Sequence, residues 1–189
     1  ETGLPEGSTG DVTAIVIENG GSDEWAEGIG PKGDLESLTP EQIRGIVKEA
    51  GIVGLGGAAF PTHVKINPPP GKPIEYLVLN GCECEAYLTT DHRLMIERTE
   101  DIAFGAKALA KALGVKKVII GVERNKPEAA VAFNEIAARD DLFQVESLEV
   151  KYPQGAEKQL IYSLLGREVP SRGLPADVGV VVQNVATAA

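Results

Sequence analysis

The sequence predicts an α/β fold: a parallel, Rossmann-like sheet flanked by helices, with a small β-rich appendage at the N-terminus. Three observations carry this reading. From Ile74 onward, strand-like and helix-like stretches alternate, the pattern of a parallel sheet with right-handed crossovers. The run Val118-Ile119-Ile120 is continuously apolar, as a strand buried on both faces must be. A dense glycine cluster at 51–57 separates a capped helix from the first strand of that series.

Taken in order, residues 1–38 read as the appendage and 39–189 as the α/β domain, a fragment of a longer protein. The β-branched run at 11–18 is a strand, set among glycines and the turn residues Asn19-Gly20-Gly21-Ser22-Asp23. Trp25 is read as a packing residue. The first helix covers 39–50, with Thr39 as N-cap, Pro40 at the first helical position and Gln42 completing a capping box. Ile43, Ile46 and Val47 make its apolar stripe, and Gly51 ends it. Pro61-Thr62 starts a short helix. Pro68-Pro69-Pro70 then forces a stiff surface connection.

A strand at 75–80 leads to helices at 91–97, capped by Thr90, and at 100–113, capped by Thr99 and stopped by Gly114. Strand 116–122 follows, then a helix from Pro127 to about residue 139 that buries Ala130, Val131, Phe133, Ile136 and Ala137. A strand at 143–151, a helix at 156–165 stopped by Gly166, and a last strand at 178–182 complete the series.

Composition narrows the function classes. With 43% hydrophobic and 24% charged residues, the chain can bury a real core without staples. It contains no apolar run of 18 residues, so direct membrane insertion is not expected. A net charge of −10 argues against nucleic acid. Cys82 and Cys84 supply too few thiolates for an iron–sulfur cluster and fit a reducing compartment.

The chemistry concentrates between residues 51 and 93. Gly54, Gly56 and Gly57 free backbone N–H groups to approach an anion, and Lys65 adds a full positive charge beyond them. A tight turn is the plain alternative for such a loop. The string fits neither G-x-G-x-x-G nor G-x-x-x-x-G-K-[ST]. The strand Tyr76-Leu77-Val78-Leu79 ends in Asn80-Gly81-Cys82-Glu83-Cys84-Glu85, polar groups where α/β sheets place ligands. His63 and His92 have no nucleophile beside them and read as exposed or structural.

Several longer strings are specific. Gly54-x-Gly56-Gly57-Ala58-x-Phe60-Pro61-Thr62-x-x-Lys65 and Asn80-Gly81-x-Glu83-Cys84-Glu85 resemble the flavin- and NADH-binding subunit family shared by respiratory complex I and the Rnf electron-transport complex. Thr89-x-Asp91-His92-Arg93, Tyr152-Pro153-Gln154-Gly155-Ala156-Glu157, and Gly166-Arg167-Glu168-Val169-Pro170 resemble the RnfC branch of that family. The resemblance implies FMN and NAD(H) as cofactors, with hydride transfer at the flavin. It implies flavin contacts at Gly54, Gly56, Gly57, Lys65, Asn80 and Glu83, with NADH beside Phe60 and Glu85. Glu157 would reach both cofactors, and Asn184 and Thr187 would close the flavin site. The 4Fe–4S clusters would lie only in the missing C-terminal part. The implied partners are the other subunits of an Rnf-type membrane complex, with ferredoxin served indirectly, on the cytoplasmic side of the membrane as a peripheral member.

The string also departs from that pattern. Leu55 stands for an arginine of complex I relatives, Cys82 for aspartate, Ala86 for proline, Ala59 for glycine and Gln183 for asparagine. Two rivals therefore stand beside the main reading. One is a flavin-dependent corrin (cobalamin) reductase of the same superfamily. The other is a non-catalytic assembly module that has lost flavin.

Overall fold

The computed structural model describes residues 16–18, 20–22, 24 and 27–189. The chain divides into two units, Glu1–Lys32 and Gly33–Ala189. In the first, the strand expected at 11–18 falls mainly outside the described residues, as does Trp25, and residues 16–18 belong to no strand. The second unit carries the fold. Its opening 3₁₀ turn, Leu35–Ser37, belongs with it because Leu35 and Leu38 pack on the core and Lys111 Nζ donates to the Leu35 and Glu36 carbonyls.

Helix α1 (Pro40–Glu49) begins as the sequence predicts. Thr39 accepts from the Gln42 N–H at 3.2 Å, and the Gln42 side chain accepts from the Thr39 N–H at 2.8 Å. Ile43 and Val47 enter the core. The short α2 (Thr62–Lys65) follows the glycine loop, and β1 (Tyr76–Gly81) follows the proline connection. Then come α3 (Thr90–Glu97), α4 (Thr99–Leu113), β2 (Val118–Glu123), α5 (Pro127–Ala137) and β3 (Phe143–Leu148). Helix α6 (Glu157–Leu165), a 3₁₀ turn at Pro175–Val178, β4 (Val180–Asn184) and α7 (Val185–Ala188) close the chain.

All neighbouring strands are parallel, in the order β3-β2-β1-β4. Alternation along the strands splits the core in two. Leu77, Leu79, Val118, Ile120 and Val181 face a layer that includes Ile43, Met95, Ile102 and Phe133. Val78, Ile119, Val180 and Val182 face Leu160 and Ile161 of α6. Helices thus cover both faces, and burial of the strands explains their unbroken apolar runs. The chain leaves β1 toward β2 and β3, then returns to pair β4 on the other side of β1. The topological switch therefore falls between β1 and β4, where open α/β sheets form ligand crevices.

Four expectations change in detail. Thr90 is the first residue of α3, with Thr89 at the cap position and no side-chain cap bond. Thr99 does not cap α4 either; its hydroxyl donates back to the Met95 carbonyl at 2.6 Å, closing the preceding helix. Val131 is 60% exposed, because Ala129, Phe133 and Ile136 define the inward face of α5. Residues 175–178 form a turn, so β4 starts only at Val180.

Candidate functional site

The glycine loop is a closed loop pinned at its neck. Val53 bridges Pro61, the Gly54 N–H donates to the Phe60 carbonyl at 2.8 Å, and the Thr62 N–H donates to the Ile52 carbonyl at 3.0 Å. Within it Gly57 has φ 112°, a conformation closed to most side chains. The loop leans on the β4–α7 junction: the Leu55 N–H donates to Thr187 Oγ1 at 3.0 Å. A Cβ on Gly56 would lie 3.3 Å from Asn184 Cβ, so glycine permits this close approach.

Opposite the loop, register pairs Asn80 of β1 with Asn184 of β4. Both amides brace their surroundings. Asn80 donates to the Gly155 carbonyl at 2.8 Å and accepts from the Cys82 N–H at 3.1 Å. Asn184 caps α7 by accepting from the Ala186 N–H at 2.8 Å, and donates to Asp91 at 2.6 Å. Burial raises the Asp91 pKa, and the Asn184 amide opposes that rise by stabilising the carboxylate. Gly155 is a position of forced closeness, since a Cβ there would sit 2.3 Å from the Cys82 carbonyl oxygen.

Between these elements lies a cavity of about 670 Å³. Gly54, Gly56, Phe60, Lys65, Asn80, Glu157, Asn184 and Thr187 line it, all singled out from the sequence. Gly57 belongs to the same loop without lining the cavity. The sequence reading missed other lining groups: Asn67, Pro68 and Pro69 of the supposed surface connection, Pro175 of the last turn, and the β4 backbone stretch. The proline run, read as a mere spacer, could have been found only by knowing that β4 is the edge strand beside it. Lys65 is not a free cation. Its Nζ lies 2.9 Å from Glu157 Oε1, with the side chains 31% and 38% exposed.

Glu83 and Glu85 are not among the cavity's lining residues. They line a second pocket of about 400 Å³, with Tyr87, His92, Lys126 and Tyr152. The Glu83 carboxylate accepts from the Asp91 and His92 N–H groups at 3.0 and 3.2 Å, which caps α3. Lys126 is 6% exposed; its Nζ contacts the buried Glu123 at 2.8 Å and donates to the Glu83 carbonyl at 3.3 Å. Cys82 is buried against the Gly121 carbonyl, and burial, then the Glu123 charge, push its thiol up to about 12. It therefore stays protonated and is a poor metal ligand.

The cavity suits a flavin mononucleotide on its own geometry. Its volume accommodates a three-ring ligand, and its wall is largely apolar, with Phe60, Pro68, Pro69 and Pro175 set beside the β4 backbone. Residues 55–58 close a hydrogen-bonded turn, and among the described residues the Gly56, Gly57 and Ala58 N–H groups make no close backbone hydrogen bond. In the opposite wall, the Gln183 amide nitrogen is buried and has no hydrogen-bond partner among the described residues. The departures leave this cradle standing. The Leu55 side chain is 62% exposed while its backbone holds Thr187, and Cys82 points to the Gly121 carbonyl. Ala59 does carry a cost, because it adopts the left-handed φ of 48° that glycine takes freely.

Known proteins give the same direction. The chain is 51% identical over 183 residues to the C subunit of the proton-translocating ferredoxin:NAD(+) oxidoreductase complex of Clostridium ljungdahlii, covering 97% of this chain and 40% of that protein. It is 52% identical over 185 residues to the C subunit of the Na(+)-translocating ferredoxin:NAD(+) oxidoreductase complex of Acetobacterium woodii, covering 98% and 42%. The chain thus spans about two fifths of the length of these relatives. A crystal structure of an NAD+-reducing [NiFe]-hydrogenase in the H2-reduced state superposes with a TM-score of 0.69 at 27% identity, covering 83% of this chain and 31% of the hydrogenase chain. The air-oxidized state gives 0.66 at 28%, covering 79% and 29%. Residues 47–189 match the Nuo51 FMN-binding domain, and the chain belongs to that family.

Proposed function

We propose that this chain is the FMN- and NAD(H)-binding part of the C subunit of an ion-translocating ferredoxin:NAD+ oxidoreductase complex. The observation that carries the reading is the cavity at the β1–β4 switch, where the glycine loop faces Asn80 and Asn184. The names of the relatives support the complex, and their identities of 51% and 52% favour it over a corrin reductase.

FMN, when bound, supplies hydride exchange with a nicotinamide and single-electron transfer onward. The chain's residues bind and orient. The loop N–H groups take the anionic end of the ligand, as N–H nests do. Asn80 and Asn184, each fixed by two hydrogen bonds, keep the two strand ends in register and the cavity floor rigid. Pro68, Pro69 and Pro175 exclude water along one wall. Phe60, half exposed at the rim, offers an aromatic face to a nicotinamide nucleotide. Glu85 lies in the second pocket and would meet a nicotinamide only from that side, while Glu83 acts by holding α3. Iron–sulfur clusters belong to other parts of the longer protein. Among the described residues no helix is long and apolar enough to cross a membrane, which is compatible with a peripheral position on the cytoplasmic side.

Titration of the purified protein into FMN tests this. One-to-one quenching of flavin fluorescence is expected. A protein that leaves FMN fluorescence unchanged up to millimolar concentration would favour the assembly module without flavin.

A further inference from the structure

Asp91, in the string Thr89-x-Asp91-His92-Arg93, lines neither the cavity nor the second pocket, yet it stands where the two are joined. From the side of the second pocket, the Glu83 carboxylate holds its N–H at 3.0 Å. On the cavity side, its own carboxylate receives the Asn184 amide at 2.6 Å. A carboxylate only accepts, so Asn184 must turn its NH₂ toward Asp91 and its carbonyl oxygen toward the Ala186 N–H, 2.8 Å away. That second bond is the N-cap of α7, a helix of four residues with little hydrogen bonding of its own. From the third position of α7, Thr187 Oγ1 accepts the Leu55 N–H at 3.0 Å, and Gly56 lies against Asn184 beside it. A series of bonds thus runs from Asp91 to the glycine loop.

The consequence rests on the flavin reading, in which the loop N–H groups receive the anionic end of the ligand. We propose that Asp91 is a positioning residue for the flavin phosphate. It fixes the Asn184 amide, and through α7 and Thr187 it holds the glycine loop in the form that accepts the anion. It touches no ligand itself. Removing its carboxylate leaves the Asn184 NH₂ without an acceptor and frees the amide to turn, which loosens first the α7 cap and then the Leu55 anchor. The apolar stretch of the cavity at Pro68, Pro69 and Pro175 has no link in this series, so the loss falls on the phosphate.

Two readouts on the purified protein test this. Asp91→Leu removes the acceptor, and Asp91→Asn restores it with a neutral amide oxygen. Amide hydrogen exchange reads the loop without any ligand. Asp91→Leu is expected to speed exchange at Leu55 and Ala186 by about fivefold, the scale of one lost cap, while Leu77, Leu79 and Ile120 keep their protection. Asp91→Asn leaves all of them unchanged. Fluorescence quenching gives dissociation constants for FMN and for riboflavin, which lacks the phosphate. Asp91→Leu weakens FMN roughly tenfold and riboflavin less than about twofold, the scale of one hydrogen bond confined to the phosphate end. Asp91→Asn binds both as the wild type does. Thr187→Val cuts the last link instead, and reproduces the faster Leu55 exchange and the loss selective for FMN. Unchanged Leu55 exchange in Asp91→Leu would overturn the inference whatever the affinities, and so would a loss shared equally by FMN and riboflavin. A Thr187→Val protein with the wild-type ratio of FMN to riboflavin affinity would overturn it even if Asp91→Leu failed to fold. A wild type that quenches neither flavin brings down the flavin reading and the phosphate role with it, and Leu55 exchange then tells that failure from a failure of the series of bonds.

Discussion

The carboxyl end of β1 opens onto two hollows of opposite construction. On the β4 side the walls are backbone, amides and prolines, with one ion pair that cancels its own charge. On the β2 side the floor is a buried ion pair, Glu123–Lys126, and the polar side chains are spent on holding neighbouring backbone. The first arrangement leaves donors free for a ligand. The second leaves few. The difference teaches that a polar strand end does not by itself mark a binding residue. Asn80 and Glu83 are three positions apart, yet one lines the cavity while the other caps a helix.

The largest effect expected from breaking this contrast lies on the β2 side. Lys126→Met strands the Glu123 carboxylate in the interior and should cost about 3–5 kcal/mol in a urea melt. The double variant with Glu123→Gln should recover most of that loss. Next comes Gly155→Ala on the cavity side. Its Cβ meets the Cys82 carbonyl at 2.3 Å, so the backbone must shift, at about 1–3 kcal/mol, and FMN quenching should disappear with the Asn80–Gly155 bond. Glu83→Ala sharpens the comparison. It removes the α3 cap for about 1 kcal/mol while changing FMN affinity less than about threefold. A tenfold loss of affinity would make Glu83 a ligand contact after all.

The smallest effect is a change of slope with pH. Burial raises the Asp91 pKa in the folded state, so its stabilising contribution is full below the unfolded carboxylate value of about 3.9 and is lost as pH rises through the folded one. Asp91→Asn, which stays uncharged and can still accept from Asn184, should match the wild type in acid and exceed it near neutrality. Parallel urea midpoints at every pH would contradict this.

Much of the fold was legible because local signals agreed with one another. The Thr39–Gln42 box, the stops at Gly114 and Gly166, and the apolar strands all sit where their chemistry places them. Caps were less legible, since Thr99 could bond forward or back and its hydroxyl chose the preceding turn. The cavity side of the site was visible through its glycines and asparagines. Its remaining wall was hidden: Pro68, Pro69 and Pro175 line it only because β4 returns to the sheet edge beside them, and strand order is a long-range property. The pairing of Lys65 with Glu157 spans 92 positions and has no local signature.

The decisive measurement is a titration of ¹⁵N-labelled protein with FMN, followed amide by amide. Shifts should concentrate at Gly56, Gly57, Ala58 and Ala59 and at the ends of β1 and β4, with Lys126, Lys151 and Tyr152 unmoved. Shifts gathered around Glu85, Lys126 and Tyr152 instead would put the ligand in the other hollow and contradict the assignment of the cavity as the flavin site.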